Sequence, residues 1–388
     1  MKIFHLSDLH IGKQFYSYNL KDNQQAILSQ IVELAKEYQP EVILICGDIF
    51  DRTVPSGEAY TIFDTFLQEL SEIKPQIPIL MIGGNHDNAQ RLNYASSFLE
   101  KHQIYISVMP PTQSEEYLKK IILQDAYGEV NFYLLPFLKP GYVRNLFEEG
   151  IITDYQSAVQ EILDRENIDY NKRNVLLSHQ FYTNQGQKPQ ICDSEQSIIT
   201  VGGLDNIDVS VVEKFDYVAL GHIHGAQMVK YPYIRYCGAP LKYSVSEEYH
   251  KKSITMVTLE DKKEAIKIDM LPLQPIQEVR QERGLLKEII GHVTKENCHD
   301  FISITLTDEK EPYRPKEQLE EVYDFILELK IDNTRTRSLM EGREEIGFAL
   351  HPMEAFRTFY EEMQGQTMGE EEEALIKELL EQCGGEEV

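Results

Sequence analysis

The sequence predicts an α/β protein in which two layers of sheet lie under flanking helices. Three observations carry this. Short apolar runs alternate with helix-period segments as far as Ser178, and the pattern turns strand-rich after Phe215. Five of the apolar runs are also followed, after one or two Ser or Gly residues, by Asp, Asn or His.

Met1–Leu6 reads as the first strand. A helix follows, capped by Asp22, with Ile27, Ile31, Leu34 and Ala35 at helical spacing, and Pro40 ends it. Val42–Cys46 is a fully apolar strand, Glu58 to Leu70 a helix, and Ile79–Ile82 a strand. The rhythm repeats with strand Phe132–Phe137, a helix near Tyr155–Leu163 and strand Val175–Ser178. Unbroken apolar strands between helices belong to sheets covered on both faces. Beyond Phe215, Tyr217–Leu220, Ile234–Cys237, Ser253–Leu259 and Ala265–Met270 read as extended.

Pro272 and Pro275 mark a boundary. A small α+β unit follows: a helix near Gly284–Ile290, strand Ile302–Thr307, and a helix over Lys316–Lys330 with Leu319, Val322, Tyr323 and Ile326 on one face. Arg335–Glu345 is polar and linker-like. In the tail, Pro352 opens a helix carrying Phe356, Phe359, Tyr360 and Met363. Thr367–Glu370 forms a capping box for a second helix with Leu375, Ile376, Leu379 and Leu380. The expected domains are 1–270 (catalytic), 271–340 (capping) and 341–388 (linker and helical docking tail).

The 388 residues carry a net charge of −26, with 64 acidic against 38 basic side chains. A freestanding nucleic-acid binder usually shows the opposite sign. A local patch, bound metal ions or a partner must therefore supply any attraction for DNA. The five cysteines are scattered without a CxxC pair, which argues against a disulfide framework. His and Asp interrupt the N-terminus too early for a signal peptide, and no apolar run is long enough to span a bilayer. The expectation is a soluble, cytoplasmic protein.

The chemistry sits at the strand ends. Asp8-Leu9-His10 follows the first strand, Gly47-Asp48-Ile49-Phe50-Asp51 the second, and Gly84-Asn85-His86-Asp87 the third. Ser178-His179 follows Val175–Leu177, and Gly221-His222-Ile223-His224-Gly225 follows Tyr217–Leu220. In α/β sheets ligands gather beyond the carboxyl ends of strands, so these loops can converge on one crevice. Asp8, His10, Asp48, Asn85, His179, His222 and His224 are too many for one four-coordinate zinc but suit two ions sharing a carboxylate. Carboxylate, amide and imidazole without thiolate favour manganese or iron. Two such ions about 3.5–4 Å apart suit phosphoryl transfer.

DxH, GDxxD, GNHD, a strand-end His and GHxH, in this order, resemble the calcineurin-like metallophosphoesterase superfamily over about residues 1–270. "GDIFDRTVPS", "GNHDNAQRL", "GAPLKYSVSEEYHKKSI" and "HPMEAFRTFYEEMQGQTM" are similar to its bacterial nuclease branch and extend the resemblance over nearly the whole chain. The resemblance implies a four-layer α-β-β-α sandwich with a capping domain and a helical tail. It implies two divalent ions, expected to be Mn²⁺. Asp8, His10, Asp48 and His224 would hold the first, Asp48, Asn85, His179 and His222 the second, and Asp48 would bridge. His86 matches the catalytic histidine and Asp87 would orient its ring. Asp51 replaces a histidine of other branches and is open between orienting and capping.

The implied activity is DNA cleavage, as double-strand exonuclease and single-strand or hairpin endonuclease, in repair and recombination. The implied assembly is a homodimer within a heterotetramer with a separate ATPase. No G-x-x-x-x-G-K-[ST] occurs, so ATP would bind that partner. Two alternatives remain: a phosphatase or cyclic-nucleotide phosphodiesterase of the same fold, and a non-catalytic scaffold for the ATPase.

Overall fold

Two six-stranded sheets organise the chain. The first runs, in spatial order, Lys267–Pro272, Ser253–Thr258, Lys2–Leu6, Val42–Cys46, Ile79–Ile82 and Ile104–Ser107. Its last four strands are parallel and the other two antiparallel. The second runs Gln227–Val229, Tyr231–Tyr236, Tyr217–Leu220, Arg173–Ser178, Gly128–Leu135 and Lys119–Asp125, parallel in the middle and antiparallel at both edges. The computed structural model describes residues 1–195, 206–262, 264–310, 312–337 and scattered residues between 353 and 377.

Three apolar layers explain the stacking. Ile3, Val42, Leu44, Leu80 and Ile82 of the first sheet pack on Phe132, Leu134, Val175, Leu177 and Ala219 of the second. The alternate residues face outward. Ile43, Ile45 and Met81 meet Ile27, Ile31 and Val32 of the helix Lys21–Tyr38 and Ile62, Phe63 and Phe66 of the helix Gly57–Glu72. Leu176, Val218 and Leu220 meet Ala158, Val159 and Ile162 of the helix Tyr155–Arg165. A strand buried on both faces must be apolar at every position, and the run Val42–Cys46 is buried throughout. The result is the expected α-β-β-α order. Among the described residues no helix is long and apolar enough to cross a membrane.

Two local expectations need correction. Asp22 does not cap its helix: the N-cap is Leu20, without a side-chain cap, and Asp22 lies in the first turn, where its charge favours the helix N-terminus. The helix expected over Lys316–Lys330 stops early. Pro315–Glu320 is helical, but Phe325–Ile331 is a strand beside Phe301–Leu306 in a three-stranded sheet. Phe325, Leu327, Leu329 and Ile331 alternate with Ile326, Glu328 and Lys330, so this stretch also fits a period of two, and sheet pairing decides between the patterns.

The chain divides into two compact units, one of residues 1–281 with 295–303 and 323–327, the other of 282–294, 304–322 and 328–388. In the second, Arg283 and Arg337 both pair with Asp332. Most of the two helices expected in the tail lies outside the described residues.

Candidate metal centre

Strands Lys2–Leu6, Val42–Cys46 and Ile79–Ile82 run parallel in one sheet, and Arg173–Ser178 and Tyr217–Leu220 run parallel in the other, so the loops after them open at common sheet ends. Backbone bonds lock the first two loops together: the Asp8 and His10 amides donate to the Gly47 and Asp48 carbonyls, both at 3.0 Å. Close approach explains the glycines. A Cβ at Gly84 would overlap the Asp48 carboxylate and amide, and one at Gly221 would overlap the Cys46 carbonyl. Gly84 is thus needed for proximity to Asp48. Asp8 (φ 53°), His10 (φ 43°), Asp48 (φ 49°) and His222 (φ 97°) all adopt positive φ. Side chains rarely sit there, and such conformations cluster at functional sites because the surroundings must hold them.

The seven expected ligands come together. His10 Nε2 lies 3.2 Å from His224 Nε2, and both rings group with the Asp8 carboxylate. Asn85 Oδ1 lies 3.0 Å from both His179 Nε2 and His222 Nδ1. Asp48 touches both groups: its Oδ2 is 3.8 Å from His10 Nε2 and 3.3 Å from His179 Nε2. The carboxylate of Asp8 also accepts from the His222 amide at 3.0 Å. All seven are buried except Asn85, which is half-buried. Burial would raise the Asp48 carboxyl, but the His179 charge and hydrogen bond, with His86 and His10, hold it well below the usual carboxylate range.

His86 stands apart. Its side chain is 30% exposed, its Nε2 is 4.0 Å from Asp48 Oδ2, and its amide donates to Asp48 Oδ1 at 2.9 Å. Its Nδ1 pairs with the Asp51 carbonyl at 2.9 Å. The ring-orienting partner expected in Asp87 is therefore the Asp51 backbone. Asp87 instead accepts from the amides of Gly84, Ile49 and Phe50 at 2.9–3.1 Å and ties two loops together. Burial, then the charge of Asp48, pushes its carboxyl up to about 6. The Asp51 carboxylate pairs with Lys13 at 2.8 Å and lies 3.6 Å from His10 Nδ1.

Sequence reasoning missed the shell behind His224. Its Nδ1 faces Ser194 Oγ at 3.0 Å and Glu247 Oε1 at 3.4 Å, and its amide donates to Glu195. Lys252 pairs with Glu247 at 2.6 Å and donates to the His224 carbonyl at 3.0 Å. Glu247 lies in the stretch "SVSEE", but nothing in its spacing marks it as a histidine partner.

The donor set fits divalent cations. Among the described residues, carboxylate, amide and imidazole atoms converge without thiolate, and His10 Nδ1 is buried without a hydrogen bond. Two facing imidazole nitrogens and two buried carboxylates are a poor arrangement without positive charge between them.

Residues 1–226 match the model of the calcineurin-like phosphoesterase family, and residues 272–364 match a second model, described as the type 5 capsule protein repressor C-terminal domain. Over 386 residues the chain is 32% identical to the SbcD subunit of the nuclease SbcCD from Staphylococcus epidermidis, with 98% of each chain covered. A solved dimetal phosphatase from Danio rerio shows 13% identity and a TM-score of 0.42 over 70% of this chain and 96% of that one. GAP50, the anchor in the inner membrane complex of Plasmodium, shows 11% identity and a TM-score of 0.37 over 86% and 98%. Neither structural likeness is close enough to bear on function. By the family model and the full-length relative, the chain belongs to the calcineurin-like phosphoesterases and, among them, to the SbcD nuclease subunits.

Proposed function

We propose that this chain is the nuclease subunit of an SbcCD-type complex and hydrolyses phosphodiester bonds of DNA at two divalent ions, expected to be Mn²⁺. One observation carries the reading: a buried carboxylate, Asp48, lies between two ligand groups, with the part-exposed His86 beside it. In this reading Asp8, His10, Asp48 and His224 hold one ion and Asp48, Asn85, His179 and His222 the other. Bound ions supply Lewis acidity toward the phosphate and a lowered pKa for water. His86 does the protein's share of proton handling. With Nδ1 held by the Asp51 carbonyl, its Nε2 faces the substrate and, when protonated, donates to the leaving oxygen. Asp87 keeps the Asn85–His86 loop against Asp48 through its three amide bonds.

The partner is an SbcC-type ATPase that binds the ATP, and the assembly is a heterotetramer around a homodimer of this chain in the cytoplasm. Residues 271–340 form the cap and 341–388 dock the partner. The full-length likeness to a nuclease subunit favours this over a phosphatase or a scaffold. The test offers the manganese-loaded chain labelled hairpin DNA, p-nitrophenyl phosphate and a cyclic nucleotide, with and without the ATPase. Cutting of DNA, stimulated by partner and ATP, is expected. Turnover of only the small esters would overturn the reading, as would no turnover at all.

A further inference from the structure

A chain of net charge −26 that cuts DNA must still receive a polyanion. Several of its cations are neutralised at home: Lys252 by Glu247, Lys242 by Glu278, Arg173 by Asp125, Lys13 by Asp51. Arg235 is different. It lies in the strand Tyr231–Tyr236, between Ala219 and Met228 of the neighbouring strands. Among the described residues no carboxylate pairs with its guanidinium. One Nη donates to the Met270 sulfur at 3.6 Å, and the buried Nε has no hydrogen-bond partner among the described residues. Ser253 is 8% exposed, and its Oγ is likewise without a partner among the described residues.

Both side chains line one cavity of about 540 Å³, together with His250, Lys251, Lys252 and His224 of the metal centre. Among the described residues no Asp or Glu lines it, although acidic side chains outnumber basic ones 64 to 38 in the sequence. Unpartnered buried donors are costly, and a guanidinium fork beside a hydroxyl matches an anion with several acceptor oxygens. We infer that this cavity is a phosphate-binding subsite beside the metal centre, occupied by a phosphate of the nucleic-acid strand other than the one being cut. The strand assignment rests on the nuclease reading, whereas the anion site does not. A free nucleotide or inorganic phosphate offers the same chemistry, so the test separates the sources.

The full chain, stripped of metal with EDTA, is titrated with inorganic phosphate and with a short single-stranded oligonucleotide. Both should bind, the oligonucleotide more tightly and with a steeper salt dependence. Arg235→Met should weaken both by at least about tenfold, the loss of one charge-assisted hydrogen bond. Arg235→Lys, which keeps the charge but not the fork, should recover only part of the binding, and Lys251→Ala should lose part of it without altering Tm. With manganese, Arg235→Met should raise KM for DNA by a similar factor and leave kcat nearly unchanged. Absence of phosphate binding in the unaltered chain overturns the site, as does undiminished binding in a folded Arg235→Met. If that variant does not fold, unchanged binding in Lys251→Ala and Ser253→Ala overturns it instead. Equal affinity for phosphate and oligonucleotide overturns the strand assignment. If the metal-loaded chain fails to cut DNA while phosphate binding still depends on Arg235, the nuclease reading falls and the anion site stands.

Discussion

The strand Arg173–Ser178 has a buried charge at its start and a buried imidazole just past its end, and the fold treats them in opposite ways. At the start, Arg173, 4% exposed, forms a bidentate pair with Asp125 at 2.9 and 2.5 Å. Its remaining donors reach the Gly128 and Glu260 carbonyls at 2.8 and 3.0 Å, and the Met1 amino group lies 2.7 Å from Asp125. Each charge there has its counterpart within the chain. Past the other end, His179 faces Asp48 and Asn85 in a cluster where imidazole meets imidazole and two carboxylates share one pocket. Four residues of that cluster also hold positive-φ backbone, whereas Arg173 and Asp125 do not. A buried polar group that is fully matched is architecture. One that is mismatched, in strained backbone, is waiting for something from outside.

The largest test of that contrast is Asp48→Ala. Asp48 is the residue common to both ligand groups, so its loss removes negative charge from each. Metal analysis should show two bound Mn²⁺ falling to one or none, and cleavage should become undetectable. Two ions retained at normal affinity would end the bridging assignment.

His86→Ala comes next. The ring lies at the rim of the cluster rather than inside it, so both ions should stay while the cleavage rate drops by roughly 10²–10⁴-fold, the usual share of a positioned acid. Loss of an ion from this variant would move His86 into the ligand set. Glu247→Gln should act more weakly. It leaves His224 in place but removes the carboxylate behind it, and partners of this kind contribute about 10–100-fold in metal affinity. Titration calorimetry with Mn²⁺ should find one site weakened and the other unchanged. Equal weakening of both sites would mean that Glu247 acts on the fold instead.

The sequence made the candidate ligands legible because each follows an apolar run, a signal that survives without any knowledge of neighbours. It made the parallel core strands legible for the same reason. Elements whose identity depends on pairing were not: Lys119–Asp125 alternates weakly at a sheet edge, and Phe325–Ile331 fits two periods at once. Partners chosen by the tertiary fold were also hidden. The Asp51 carbonyl that holds His86 is a backbone atom that any residue could supply, and Glu247 meets His224 only because two loops fold over each other. The expected Asp87–His86 contact was carried over from the family resemblance, and the three amides that draw the Asp87 carboxylate away from the ring come together only when the two loops fold.

The smallest effect on catalysis, and the clearest separation of the two ends, should come from Asp125→Asn. The change leaves Arg173 buried against a neutral amide, and breaking a buried pair costs about 3–5 kcal/mol. Urea unfolding at pH 7 should show a loss of this order, while metal content and cleavage per folded molecule stay at the unaltered chain's level. The dependence on pH follows from the carboxyl itself. Burial would raise it, but Arg173 and the Met1 amino group hold it well below the usual range. A depressed carboxyl contributes its stability in full above the unfolded value of about 3.9 and loses it as the pH falls further toward the folded value. The stability gap between the two proteins should therefore be widest at neutral pH and narrow below about pH 4, where the unfolded chain takes up the proton first. A gap that stayed constant with pH would mean that the pair stabilises by shape rather than by charge. A variant that lost bound metal while remaining folded would mean that the two ends of the strand are coupled, and the contrast between them would no longer hold.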